Sequence, residues 1–110
     1  MGGFLATDDS EEKHNYLTQV VSLFHVFNEK TFWIGGDDYI FEGTWRWTET
    51  GASIGPFSKW KAGSPSTNTS KNCLAMTWEG DSLYWYDDHC RYWRQDKISG
   101  GRHYFICEKP

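Results

Sequence analysis

The chain has 110 residues, enough for one hydrophobic core and too few for a second, which excludes a multidomain enzyme. Eleven Lys and Arg against fifteen Asp and Glu leave a formal charge of −4, a field that repels phosphate polymers and argues against nucleic-acid binding. Twenty aromatic residues (seven Trp, six Tyr, seven Phe) bury enough area to exclude disorder and to predict an aromatic core. In chain order, Asp9 or Ser10 caps a predicted helix with Glu11 and Glu12 in its first turn. Tyr16, Val20, Leu23, Phe24 and Phe27 recur at helical spacing along it. Asn28-Glu29-Lys30 ends that pattern, and Thr31 to Ile34 reads as a short strand stopped by Gly35-Gly36. The alternation in Thr44-Trp45-Arg46-Trp47-Thr48 puts both tryptophans on one face of a half-buried strand. Glu49 to Lys71 is a long Gly/Pro/Ser/Thr-rich loop anchored by Ile54, Phe57 and Trp60, and loops of that length are more often functional than idle. Three strand-like runs follow: Cys73 to Trp78, Leu83 to Tyr86 across the Glu79-Gly80-Asp81 turn, and His103 to Cys107. The sum is α+β with a dominant antiparallel sheet.

No run approaches the roughly twenty apolar residues needed to cross a bilayer; the best, Val20 to Phe27, holds Ser22 and His25, so membrane insertion by this segment is not expected. Nor does the opening stretch read as a secretory signal, since Met1 to Thr7 offers neither a basic region nor a long enough apolar run before the acidic Asp8 to Glu12, and none is expected within this chain. Asn68-Thr69-Ser70 is nevertheless a glycosylation acceptor in an exposed-looking loop, and the cysteines are few and widely separated. These facts agree if the chain is part of a longer secreted protein.

The ordered motifs resemble the C-type lectin-like domain family along nearly the whole chain. Gly2-Gly3-Phe4-Leu5-Ala6 with Ser10 to Leu17 looks like the family's GGxLA and SEExxxxL motifs, and Trp33-Ile34-Gly35 its WIG signature. Gly43-Thr44-Trp45-Arg46-Trp47 resembles the G-x-W-x-W strand, and Trp60 with Gly63 and Pro65 the W-x-x-G-x-P loop. Asn72-Cys73, Trp85-Tyr86-Asp87, Cys90 and Phe105-Ile106-Cys107-Glu108 complete the series. The resemblance implies a single domain over residues 1–110 with an antiparallel sheet, a long loop region and one flanking helix. By the same resemblance, the family's first strand and first helix are expected to precede Met1. The resemblance also implies a Cys73–Cys90 bridge and leaves Cys107 unpaired, with a route to a disulfide-linked dimer. A three-cysteine zinc site with His89 or His103, or a free reactive thiol, is the competing reading of the cysteines; the absence of a C-x-x-C pair weighs against zinc. By family position Trp33, Trp45, Trp47, Trp60 and Trp85 belong to the core, with Trp78 unassigned.

Family members that hold sugars through calcium present E-P-N or Q-P-D, an acidic residue before the loop-closing cysteine, and W-N-D. Here Ser64-Pro65-Ser66 replaces the triplet, Lys71 the acid and Tyr86 the asparagine, leaving Asp87 as the one matching ligand. Hydroxyls and an ammonium do not replace carboxylates around a hard cation, so no cofactor is expected at the sugar site. Asp38 and Glu42 match two positions of the auxiliary calcium site, with Thr67 at the third; a solvated loop pair or a weak ion site both fit. The candidate ligand-binding residues are Ser64, Ser66, Tyr86, Asp87, Tyr92, Trp93 and Arg94. Tyr84, Tyr86, Tyr92 and Trp93 interleave with Arg91, Arg94, Lys97 and Arg102 in an aromatic and basic region that runs into an unusually long link of sixteen residues between Cys90 and Cys107; the alternative is that Tyr92 and Trp93 only pack that link. Catalysis lacks support: the four histidines are scattered, no nucleophile elbow or metal-binding helix motif occurs, and neighbouring Asp87 and Asp88 point to opposite faces of a strand. The expected function is calcium-independent glycan recognition, with a calcium-independent protein-binding module as the alternative. The expected location is extracellular, and the expected partner a glycan or an extracellular protein.

Overall fold

A computed structural model of the chain describes residues 4–23, 30–90 and 104–108. Its elements are β1 (Phe4–Leu5), α1 (Glu11–Ser22), β2 (Phe32–Asp37), β3 (Arg46–Trp47), β4 (Cys73–Glu79), β5 (Ser82–Asp88), β6 (Tyr104–Phe105) and β7 (Cys107–Glu108). The main sheet runs β3-β2-β4-β5, with β6 parallel to β2 at Phe32 and Trp33. A second, two-stranded antiparallel sheet pairs β1 with β7. The predicted His103 to Cys107 strand therefore divides at Ile106. Its N–H donates to the Trp33 carbonyl while its own carbonyl accepts from Ala6, so this residue hands the chain from one sheet to the other.

Ser10 is the helix cap; its hydroxyl accepts from the Lys13 amide at 3.1 Å, and Glu11 and Glu12 sit where the dipole favours acid. The buried stripe, however, is His14, Leu17 and Val21, whereas Tyr16 and Leu23 of the predicted apolar face are 63% and 75% exposed. The helix is turned by polar contacts: His14 bonds to the Asp8 carboxylate and to the Leu83 carbonyl, both inside the fold. Phe24 and Phe27 lie outside the described residues.

Alternation along the strands covers the sheet on both faces. Phe32, Ile34, Leu74, Met76, Leu83 and Trp85 face the larger cluster with Val21, Trp45 and Trp47. Trp33, Cys73 and Ala75 face a smaller one, against which Leu5, Tyr86 and Cys90 pack. Trp85 is the hub of the first, with Trp47, Trp60 and Phe57 edge-on to it at centroid separations of 5.5, 5.6 and 5.9 Å. Trp78, unassigned from sequence, is half-buried against the same cluster.

The glycine pair does not stop β2. Both residues are strand positions because neighbours approach too closely for a side chain. A Cβ on Gly35 would stand 2.8 Å from the Leu5 carbonyl and 3.1 Å from the Thr48 hydroxyl. Gly35→Ala is thus expected to push β1 off the sheet and to lower stability by about 2 kcal/mol. Urea denaturation measures it, and a loss below about 0.5 kcal/mol, the scale of an ordinary surface change, would mean β1 yields freely.

The chain ends are clamped by Glu108, whose carboxylate accepts from the Thr7 amide at 2.8 Å and pairs with Lys13 at 2.7 Å. Burial pushes its carboxyl up, but the hydrogen bond and charge of Lys13 and the bonds from Thr7 outweigh this, and the net shift is downward.

Candidate functional site

The long loop has no helix or strand of its own between β3 and β4, yet it is fixed to the core at several points. Ile54, Phe57 and Trp60 pack on the larger cluster. Trp60 also forms a parallel bridge to Trp85, in which the Trp85 amide donates to the Lys59 carbonyl and the Lys61 amide to the Trp85 carbonyl, each at 2.8 Å. This bridge covers the outer edge of β5 and carries the loop toward Asp87.

There the chain places Ser66 on Asp87. The Ser66 amide donates to one carboxylate oxygen at 2.9 Å and its hydroxyl to the other at 2.7 Å. The same hydroxyl accepts from the Asn68 amide at 3.2 Å. Asp87 is 5% exposed, so these bonds satisfy a buried charge that would otherwise be costly. Ser64 is two residues away, half-buried, with its amide on the Lys61 carbonyl at 2.9 Å. Tyr86, next to Asp87, is half-buried on the opposite face of β5, with the Lys61 ammonium 5.7 Å from its ring centre. The structure therefore joins Ser66 to Asp87 and sets Ser64 and Tyr86 on the adjoining chain. Tyr92, Trp93 and Arg94 lie outside the described residues, as do Arg91 and Lys97.

The arrangement does not fit the calcium of a sugar site. Both Asp87 oxygens are engaged by Ser66, and the remaining donors at the matching positions are hydroxyls and the Lys71 ammonium. The auxiliary positions fit a hard cation better. Asp38 is buried, with one oxygen accepting from the Gly43 amide at 2.9 Å and the other, Oδ1, without a protein partner; Oδ1 of Asn72 is likewise unpartnered. The Asp38 amide donates to the Asn72 carbonyl at 3.1 Å, which brings the two residues together. Glu42 is held above the usual carboxylate range, first by desolvation, then by the charge of Asp38, hydrogen bonding to it, and the charge of Asp87. Among the described residues no group of three acidic, histidine or cysteine side chains comes together to hold a metal ion, so this corner is an acidic pair, Asp38 and Glu42, without the third acid that Thr67 replaces.

Cys73 and Cys90 are bridged, and Cys107 is exposed and free. Asn68 is exposed, its side-chain oxygen accepting from the Ser70 amide at 2.9 Å and hydroxyl at 2.7 Å. Among the described residues no helix is long and apolar enough to cross a membrane. Sequence reasoning passed over Lys59 and Lys61. The available signal was a shared alternation, Lys59-Trp60-Lys61 and Tyr84-Trp85-Tyr86, in which the tryptophans point inward and the flanking residues outward.

Comparison with known proteins bears on the same features. The family profile described as Lectin C-type domain matches residues 1–109. The hepatic lectin of Gallus gallus is 31% identical over 96% of this chain and 48% of its own length. The galactose-specific lectin nattectin of Thalassophryne nattereri is 28% identical over 98% of this chain and 60% of its own. The chain thus spans about half to two-thirds of the curated relatives it matches. Among solved structures, the C-type lectin CEL-I from Cucumaria echinata superposes with a TM-score of 0.74 at 20% identity, covering 96% of this chain and 66% of that one. A calcium-independent type II antifreeze protein superposes at 0.64 with 30% identity, covering 81% and 61%. The sheet order, the bridged Cys73–Cys90 and the profile match agree, and the chain belongs to the C-type lectin domain family, a family of non-enzymatic binding domains.

Proposed function

We propose that the chain recognises glycans directly, without a sugar-bridging cation, through the end of the long loop, where Ser66 holds Asp87, Ser64 lies two residues away and Tyr86 flanks Asp87 on the other face of β5. The observation that carries this reading is the double engagement of the Asp87 carboxylate by the Ser66 amide and hydroxyl. It fills the positions at which a cation would need free oxygens. Ser64 and Ser66 are partly exposed and a hydroxyl can accept as well as donate, so sugar hydroxyls can still be bonded at this rim. Family membership supports glycan as the ligand, as does the kinship with a galactose-specific lectin. The 30% identity to a calcium-independent relative supports independence from the ion. A structural disulfide and an exposed Asn68 acceptor support an extracellular setting with Asn68 glycosylated.

Glycan-array binding is expected to be the same with and without a chelator, and Ser66→Ala is expected to weaken it about tenfold by removing a hydrogen bond to a charged group. Signal that disappears with chelator would overturn the reading. One observation favours a protein ligand instead: Tyr39, Ile40 and Phe41 are consecutive and 62%, 68% and 61% exposed at the tip of the β2–β3 loop. Apolar side chains so presented are typical anchors of a protein interface, and an array without any glycan signal would turn the assignment to that loop.

A further inference from the structure

A second candidate ligand-binding feature lies along the outer edge of β5, where Lys59, Lys61 and Tyr84 join Tyr86, the one of the four that was matched to the family's sugar site. The parallel bridge between Trp60 and Trp85 fixes the loop segment beside the strand, so residues flanking the two tryptophans stand side by side. The Lys59 ammonium lies over the Tyr84 ring, 5.3 Å from its centre, and the Lys61 ammonium over the Tyr86 ring at 5.7 Å. Both distances are within the reach of a cation–π contact. Two residues of extended chain set the two lysines roughly 6 to 7 Å apart. Neither ammonium has a carboxylate partner among the described residues. The nearest acid along the strand, Asp87, has both oxygens bonded to Ser66. The rings hold each lysine stem in place, which lowers the ordering cost of binding, and leave N–H donors for a ligand. The net charge of −4 does not forbid an anion here, because repulsion from distant charges is screened beyond about 8 to 10 Å while a two-point contact is not.

We infer that Lys59/Tyr84 and Lys61/Tyr86 form a two-point site for an acidic saccharide, one whose sulfate or carboxylate groups meet the two ammonium groups. The Lys61 carbonyl accepts from the Ser64 amide, and Tyr86 precedes Asp87, so the site continues into the one proposed above. This inference rests on that glycan-binding reading and specifies its ligand class.

The test uses immobilised sulfated and carboxylated oligosaccharides, their neutral parents, and a polyglutamate peptide. The expected result is that the acidic sugars bind about tenfold or more tightly than the neutral ones. Salt should weaken their binding, Lys59→Gln/Lys61→Gln should abolish the preference, and Lys59→Arg/Lys61→Arg should retain it. Lys30→Gln, an exposed lysine elsewhere, is the control, and thermal melts of all variants verify folding. Equal binding of acidic and neutral sugars, or a preference that survives the double glutamine variant, overturns the inference and leaves the lectin reading standing. Binding of polyglutamate equal to that of the acidic sugars also overturns it, by showing charge attraction alone. No binding to any sugar defeats both.

Discussion

Asp8→Ala is expected to cost about 3 to 5 kcal/mol of folding stability, the largest loss of any single change considered for this domain. Asp8 is 0% exposed, and one carboxylate oxygen receives both the His14 ring and, at 2.9 Å, the Trp85 indole N–H. The other His14 nitrogen, at 2.8 Å, meets the Leu83 carbonyl, which can only accept. Both ring nitrogens thus have oxygen partners inside the core. Removing the carboxylate leaves a buried imidazole nitrogen and a buried indole N–H without a partner, and each carries a desolvation penalty that water cannot reach to relieve. The same three residues tie α1, the segment between β1 and α1, and β5 together, so the damage is not local. Urea denaturation of Asp8→Ala beside Asp8→Asn measures it. The amide keeps one acceptor and should lose less. Asp9→Ala, at an exposed neighbour, should change stability by less than about 0.5 kcal/mol. A loss within about 1 kcal/mol for Asp8→Ala would mean that the network is not a structural tie.

That network also marks the limit of what the sequence reveals. The Trp45/Trp47 alternation was legible because period-two burial needs only neighbouring residues, and both tryptophans are buried. The β4–β5 hairpin was legible as two strand-like runs across a turn, with Gly80 at φ 68° supplying it. The helix start followed from Ser10 and the two glutamates. Which helix face turns inward was not legible. It is decided by His14, a polar residue that gives no hydrophobic signal, bonded to a carbonyl 69 positions away. Gly35-Gly36 looked like a stop because glycine commonly ends strands; only the packing of Leu5 and Leu74 against them explains the continuation. At the candidate site, Ser64, Ser66 and Asp87 were named through the family resemblance, but the bonding of Ser66 to Asp87 was not. Ser66 and Asp87 are 21 residues apart and meet only because the loop is pinned at Trp60. The lysine and tyrosine pairs depend on the same bridge.

Opening the Cys73–Cys90 bridge, by Cys73→Ala/Cys90→Ala, is expected to lower stability by about 3 kcal/mol, the chain-entropy value for a closure of this span. The two cysteines are 17 residues apart, and the enclosed chain is almost wholly the β4–β5 hairpin, whose register already sets Cys73 opposite Asp88. In the folded state the bridge adds little to strands that hydrogen bonds hold; in the unfolded state it removes many open conformations, and there most of its effect lies. Lost packing adds a smaller part, since Cys73 is 0% exposed beside Trp33 and Ala75. The entropic account makes a specific demand: reductant acting on the native protein must destabilise it nearly as much as the double alanine variant, because both release the same constraint. Urea midpoints for the oxidised, reduced and double-alanine proteins compare the two. If the reduced protein keeps its stability to within about 1 kcal/mol while the alanine variant loses about 3, the buried sulfur of Cys73 and its contacts, not the covalent closure, hold the end of β5 on which Asp87 is presented.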